Sequence, residues 1–408
     1  MKEKGLVLRT SILASFILLF TACNTRQPSP TPPPAAATAV SDPAPAPEEP
    51  AYWPTDGWRS TTPEEQGMDS DKLADMFAFI QQEAVDIHSV TIVRNGTLVA
   101  DGIIYPFDGD SKHIVHSVTK SIISTLIGIA LEQGAIDSVQ QPVLSFFPGR
   151  TAANLDPNKE QMTLEHLLTM TSGFNCQDSY LYRWQGIEQM QQTDDWVQFM
   201  LDLPMSEAPG TRFEYCNGAS FLLSAIIQET TGMSAADFAA EHLFGPLGID
   251  DVAWPANPQG ISIGWGELRL RPQDMAKIGH LYLNQGRWDG EQIVPAAWIE
   301  ASTREHIPAT LADGYGYQWW VDDAGYTMAL GYAGQFIYVV PEQELVVAFT
   351  SNLGEDEFYQ PQTLLETFII PAANSSTPLP ANPAAAARLE AAIQKATLPP
   401  ADPEPPPP

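Results

Sequence analysis

Basic residues are scarce in this chain. Its 20 lysines and arginines stand against 50 aspartates and glutamates, a formal charge of −30. That balance argues against binding nucleic acid or an anionic membrane through a basic face. Long apolar runs are also lacking. Ser11 to Phe20 is too short to span a bilayer comfortably. The histidines show no metal-ligand spacing such as H-E-x-x-H, so no metal and no cofactor is expected. Only three cysteines occur: Cys23, Cys176 and Cys216. The last two either pair, as an oxidising compartment allows, or remain as two buried thiols.

A hydrophobic content of 44% with 10% aromatics predicts a globular body with a substantial core. The ends differ from that body. Lys2, Lys4 and Arg9 precede the apolar run, so residues 1–22 read as a signal peptide. The run ends at Leu19-Phe20-Thr21-Ala22-Cys23, which resembles a bacterial lipoprotein processing site. That resemblance implies lipid on Cys23; an ordinary signal peptide cut near Ala22 is the alternative. Either places the mature chain outside the cytoplasm, with the membrane touched only through the lipid anchor. Residues 23–51 are rich in Pro and Ala and read as a tether. Residues 52–375 carry the folded domain. Residues 376–408 read as an Ala/Pro-rich disordered tail, with a short Ala-rich helix open as an alternative over Pro383 to Lys395.

Within the body, apolar runs flank Asn95-Gly96, a strong hairpin signal. Residues 114–133 read as a buried helix, with others at Leu164 to Met170, Phe221 to Thr230, Ala235 to Phe244 and Pro272 to Asn284. Strands return at Tyr315 to Val321, Gly334 to Val340 and Leu345 to Thr350, and a last helix covers Gln362 to Ile369. The pattern predicts an α+β fold: an antiparallel sheet built from the N- and C-terminal segments, flanked by helices, with a mostly helical subdomain.

The chemistry concentrates in Ser117-Val118-Thr119-Lys120. Of the eight lysines, only Lys120 has a serine three positions before it. Residues three apart share a helix face, so an amine can stand beside a hydroxyl and serve as its base. Tyr215-Cys216-Asn217 follows a loop signal and could turn a phenol toward the serine and a carboxamide toward the lysine or a substrate. Gly331-Tyr332-Ala333-Gly334-Gln335 enters a strand, where small residues let the backbone approach a substrate. An N–H there could join that of Ser117 around a developing oxyanion.

Three rival readings are weaker. Gly260-Ile261-Ser262-Ile263-Gly264 fits G-x-S-x-G, but its flanks carry Pro255 and Pro258 and no suitable strand, and only His280 and His306 follow. His116 adjoins Ser117, yet neighbours in a helix point apart, so it reads as packing or a cleft wall. Tyr282-Leu283-Asn284 repeats Y-x-N at a helix end, where core packing and capping explain it.

The motifs His116 to Ser121, Thr163 to Gly173, Tyr215 to Gly218 and Gly331 to Gln335, in that order, resemble the serine β-lactamase and penicillin-binding-protein superfamily. The likeness is to its class C-like branch of esterases, 6-aminohexanoate-dimer hydrolases and DD-peptidases, and spans about residues 55–370. It implies Ser117 as acylated nucleophile, Lys120 as base, and Tyr215 as a partner in proton transfer. It implies Asn217 as the positioning amide, and the N–H groups of Ser117 and Gln335, with Gly334 beside it, as oxyanion hole. Tyr332 stands where many relatives carry a basic residue, and Ala333 where they carry a hydroxyl. That departure favours small ester, amide or peptide substrates over β-lactams. A DD-peptidase or penicillin-binding protein, or a tethered non-catalytic binding domain, are the alternatives.

Overall fold

Asn95 and Gly96 take φ of 49° and 73°, the left-handed pair that a two-residue hairpin requires. The strands β1 (Ile87–Arg94) and β2 (Thr97–Ile103) accordingly pair antiparallel, with Arg94 opposite Thr97. This is seen in a computed structural model that describes residues 52–178 and 184–399. The expected signal peptide, Cys23 and the tether at 23–51 lie outside the described residues.

Six further strands come from the C-terminal part: β3 (Ile307–Pro308), β4 (Gly314–Tyr315), β5 (Trp320–Asp322), β6 (Tyr326–Gly331), β7 (Gln335–Val340) and β8 (Leu345–Ser351). The order across the sheet is β2-β1-β8-β7-β6-β5-β4-β3. The β1–β8 pairing joins the two ends of the domain, with Val90 opposite Phe349 and Arg94 opposite Leu345. Every neighbouring pair is antiparallel, as expected.

Every residue of β7 and β8 is buried, so these central strands read as unbroken apolar runs rather than alternating ones. Helix α1 (Ser70–Gln82) lays Phe77 against Gly102 of β2, where a Cβ would sit 2.2 Å from the ring. Between β2 and β3 lies the helical insertion. It contains α2 (Val118–Glu132), α3 (Asn217–Thr231) and α4 (Pro272–Leu283). Gly279 lets α4 close on the sheet, since a Cβ there would lie 2.4 Å from Val346 and 2.9 Å from Ile337.

Three local expectations need correction. The buried helix starts at Val118, not 114, because His113–Ile114 pairs with Arg269–Leu270 as a short ribbon. The strand expected over Tyr315 to Val321 is broken at Gln318, which has φ of 62°. Its buried carboxamide donates to the carbonyls of Leu167 and Leu168 and accepts from Ser220, tying sheet to insertion. Trp319 and Trp320, which follow the break, are both buried.

The third correction concerns the tail. Residues 383–396 form α5 (Pro383–Ala396), with Ala385, Leu389 and Ala396 buried. Arg388 pairs with Asp71 and Asp75 on α1, and the Tyr105 N–H donates to the Ala396 carbonyl at 2.9 Å. The alanines give the helix its propensity; the spaced apolar positions give it a stripe to bury.

Candidate active site

The chain enters α2 through a tight turn. His116 takes φ of 47°, and the N–H groups of Val118 and Thr119 turn back onto the carbonyls of Val115 and His116. Ser117 is thereby the residue just before the first helical turn, half-buried, with its side chain making no capping bond. The 117/120 spacing then works as the sequence predicts: Lys120 Nζ lies 3.0 Å from Ser117 Oγ.

Lys120 is 1% exposed. Its amine donates to Asn217 Oδ1 at 2.7 Å and to the Trp265 carbonyl at 2.8 Å. Those two acceptors use two N–H bonds. A neutral amine has a third tetrahedral position, a lone pair, left for the Ser117 hydroxyl proton. Burial pushes the Lys120 pKa well below the usual 10.5, against the pull of the Asp178 carboxylate. A buried lysine with a depressed pKa beside a hydroxyl is the chemistry of an activated nucleophile.

Asn217 is the first residue of α3 and is 3% exposed. Tyr215, two residues earlier, sets its ring 4.8 Å from Lys120 Nζ and stacks on Trp320 with centroids 6.0 Å apart. Between them, Cys216 forms a disulfide with Cys176, Cα atoms 5.8 Å apart, which settles the open question of pairing. The two sulfurs and Asp178 form a compact cluster, but the sulfurs are spent on each other, so a lone carboxylate remains and no metal set.

The third motif engages the site three residues earlier than expected. Gly331, at the end of β6, abuts the nucleophile turn: a Cβ on it would lie 2.4 Å from the Val115 carbonyl and 3.3 Å from His116 Cβ. Gly334 faces elsewhere, toward Ser351 and Leu353. Gln335 is buried, and its carboxamide is committed to the carbonyls of Tyr332, Ala333 and Ser351. Gly334 and Gln335 are therefore not brought to Ser117. Tyr332 is, because it is the first residue past the strand that Gly331 presses against the turn. Ala333 and Gly334, with φ of 57° and 86°, simply close the hairpin.

His116, Ser117, Trp184, Ile187, Asn217, Trp265, Gly266, Glu267 and Tyr332 surround a cavity of about 180 Å³. The rings of His116 and Tyr332 meet edge-on at 5.6 Å, so His116 is a cleft wall, as anticipated. Burial lowers its pKa, with Lys120 and Arg269 adding to the effect. Sequence reasoning missed Trp184, Ile187, Glu267, the Trp265 carbonyl and Asp178. No motif marks them: Ile187 sits in a short helix, Gln185–Gln191, with Trp184 just before it, and the others come from loops.

The rival sites dissolve. Ser262 is buried, and its Oγ accepts the Ala236 N–H at 3.0 Å as a helix-start contact, not an exposed elbow. Tyr282 is a core residue bonded to Thr125, and Asn284 caps the end of α4. His280 is enclosed by Trp53, Trp58 and Trp288.

The chain is 23% identical over 318 residues to the 6-aminohexanoate-dimer hydrolase of Paenarthrobacter ureafaciens, covering 71% of this chain and 79% of the relative. It is 24% identical over 221 residues to esterase EstB of Burkholderia gladioli, covering 52% and 55%. Its fold matches that of EstCE1, a hydrolase with promiscuous acyltransferase activity, with a TM-score of 0.63 at 14% identity, over 73% of this chain and 99% of that one. The beta-lactamase family model matches residues 78–367. With Ser117, Lys120 and Asn217 in hydrogen-bond contact and that match across most of the domain, the chain belongs to the beta-lactamase family, as a serine hydrolase.

Proposed function

We propose that Ser117 is acylated and that the protein cleaves ester or amide bonds through this acyl-enzyme. The observation that carries the reading is Lys120 Nζ at 3.0 Å from Ser117 Oγ with its other two bonds filled. The Ser117 proton passes to the Lys120 lone pair as Oγ attacks the substrate carbonyl carbon. Negative charge develops on the carbonyl oxygen. We assign the N–H groups of Ser117 and Tyr332 as the donors that receive it; neither makes a hydrogen bond to another described residue. Lys120 returns the proton to the departing alcohol or amine. Water then attacks the acyl carbon, giving up a proton by the same route, and releases the acid. Tyr215, against the ammonium, stabilises the protonated stage through its ring face.

The lining supports ester or amide substrates without an acyl-side carboxylate. The cavity holds Glu267 and, among the described residues, no lysine or arginine. Two positions before Gly331, where a basic residue would fall, is buried Ala329. The names of the relatives, a 6-aminohexanoate-dimer hydrolase and an esterase, agree with a hydrolase of that class.

The test is hydrolysis of p-nitrophenyl butyrate by the full chain against Ser117→Ala, with mass spectrometry of the trapped protein. The expected result is loss of turnover in the variant and an added butyryl mass on Ser117 in the wild type. Equal rates would place the nucleophile elsewhere. Labelling of Ser117 by a fluorescent penicillin without ester turnover would favour the penicillin-binding reading instead.

The proposal extends to location. Lys2, Lys4, Arg9 and the run to Cys23 support export and lipid attachment, followed by a tether that holds the domain off the membrane. Incorporation of a labelled fatty acid that is lost in Cys23→Ser is the expected result.

A further inference from the structure

One buried carboxylate in the site has no part in the steps above. Asp178 is 2% exposed. Its Oδ2 accepts the backbone N–H of Asn217 at 3.1 Å, and its Oδ1 accepts that of Ile187 at 2.9 Å. The Gly218 N–H also faces it. The carboxylate thus sits on the N-terminus of α3, a 15-residue helix, where the exposed N–H groups and the helix dipole favour an anion. The Cys176–Cys216 disulfide fixes both sides of this contact, two residues before Asp178 and one before Asn217.

We propose that Asp178 is a positioning residue: it anchors the Asn217 end of α3 and the Ile187 wall of the cavity, and it is the counter-charge of Lys120. This rests on the reading of Lys120 as the base. Asn217 is the link in the first role. Its side chain accepts from Lys120 while its own N–H is held by Asp178, so one residue connects the carboxylate to the amine. In the second role, the Asp178 charge reaches Lys120 across Asn217, the residue that touches both groups. The other groups facing that amine are the Tyr215 ring and, through the same turn, His116, on which Arg269 also acts; Glu267 lines the cavity beyond them. Burial alone drives Lys120 toward neutrality; Asp178 opposes it. The balance keeps the amine basic enough to take the serine proton and then acid enough to give it up. Burial lifts the Asp178 pKa to about 6, and the Lys120 charge pulls it back the other way.

The experiment is the pH profile of kcat/KM for full-length wild type, Asp178→Asn and Asp178→Glu, using the ester that shows Ser117-dependent turnover. Removing the negative charge makes the ammonium harder to hold, so the acid limb of Asp178→Asn moves to lower pH by about one unit. On that limb its rate, relative to its own plateau, is about tenfold above the wild type's. Asp178→Glu keeps the charge and restores the wild-type limb. An unmoved limb in folded Asp178→Asn overturns the proposal, even if its plateau falls. If neither variant folds, NMR of ζ-¹⁵N-lysine-labelled wild type decides. The Lys120 signal, assigned with Lys120→Met, shifts as a carboxyl with a pKa near 6 ionises; a signal blind to that step overturns the proposal. Absence of Ser117-dependent turnover in the wild type would instead defeat the hydrolase mechanism itself, a separate result.

Discussion

Gly331 and Val115 approach so closely that a Cβ on the glycine would sit 2.4 Å from the Val115 carbonyl oxygen. No real Cβ tolerates that distance, so the end of β6 can meet the nucleophile turn only through glycine. In the proposed mechanism this contact holds Tyr332 beside the Ser117 turn. Gly331→Ala is expected to fold with a stability loss of about 1–3 kcal/mol. Its kcat should fall by about 10²–10³, the usual effect of losing one oxyanion donor. Denaturant melts and steady-state kinetics check both. Gly334→Ala, whose clash is with Ser351 and Leu353, should cost stability and leave kcat far less changed.

In the proposed mechanism Lys120 and Ser117 act as one unit, so their removals should not add. Lys120→Met and Ser117→Ala are each expected to lower kcat to nearly the same floor, and the double variant to share it. In the wild type, log kcat/KM should rise with unit slope as pH rises through the Lys120 pKa, because the working form is the neutral amine. Burial depresses that pKa, so the plateau is reached well below the 10.5 of an ordinary lysine. A limb centred near 10.5 would contradict the buried-base reading.

The disulfide spans 40 residues of sequence. Loop-closure entropy for that length gives about 4 kcal/mol of stabilisation, fewer if the reduced chain stays compact. Paired Cys176→Ser and Cys216→Ser should lower the denaturation midpoint accordingly. Because Cys216 lies between Tyr215 and Asn217, kcat should fall as well. Unchanged kcat in the folded double variant would mean the helix packing alone holds the motif.

His280 is held neutral by burial, its pKa pushed down to about 4 from 6.5. Its folded value is lower than its unfolded one, so only the unfolded chain takes up a proton between these limits. The stability tied to a neutral His280 is complete above pH 6.5 and is lost as pH falls toward 4. The loss for this one group is about 3 kcal/mol. His113 pulls the same way, while Asp178 and Asp274, raised to about 6, pull the other way. The comparison with His280→Gln isolates one group: the stability difference between wild type and variant should shrink by that amount from pH 7 to pH 4.

The terminal helix belongs to the folded body. Leu389 is 4% exposed on the face of α5 turned to α1. Leu389→Ala should destabilise by about 2–4 kcal/mol with kcat unaltered. No loss of stability would mean that α5 does not dock in solution.

The sequence by itself determined most of the architecture and two of the three motifs. Asn95-Gly96 could only turn left-handed, and apolar runs at both ends of the body could only close one sheet between them. Ser117 and Lys120 meet because three residues make nearly one helical turn, a purely local fact. Asn217 came from its place at a loop-to-helix junction. What tertiary structure decided lies where distant segments meet. Glycine at both 331 and 334 leaves the third motif ambiguous in sequence; only the approach of β6 to Val115 assigns it to Gly331 and brings Tyr332, rather than Gln335, to the cavity beside Ser117. Asp178, Trp184 and Glu267 follow no periodicity, and only the tertiary fold with its Cys176–Cys216 disulfide brings them to the site. The Pro383–Ala396 helix needed α1 as well: its composition allowed either a helix or a free tail, and burial of Leu389 with the Arg388 pairs chose the helix.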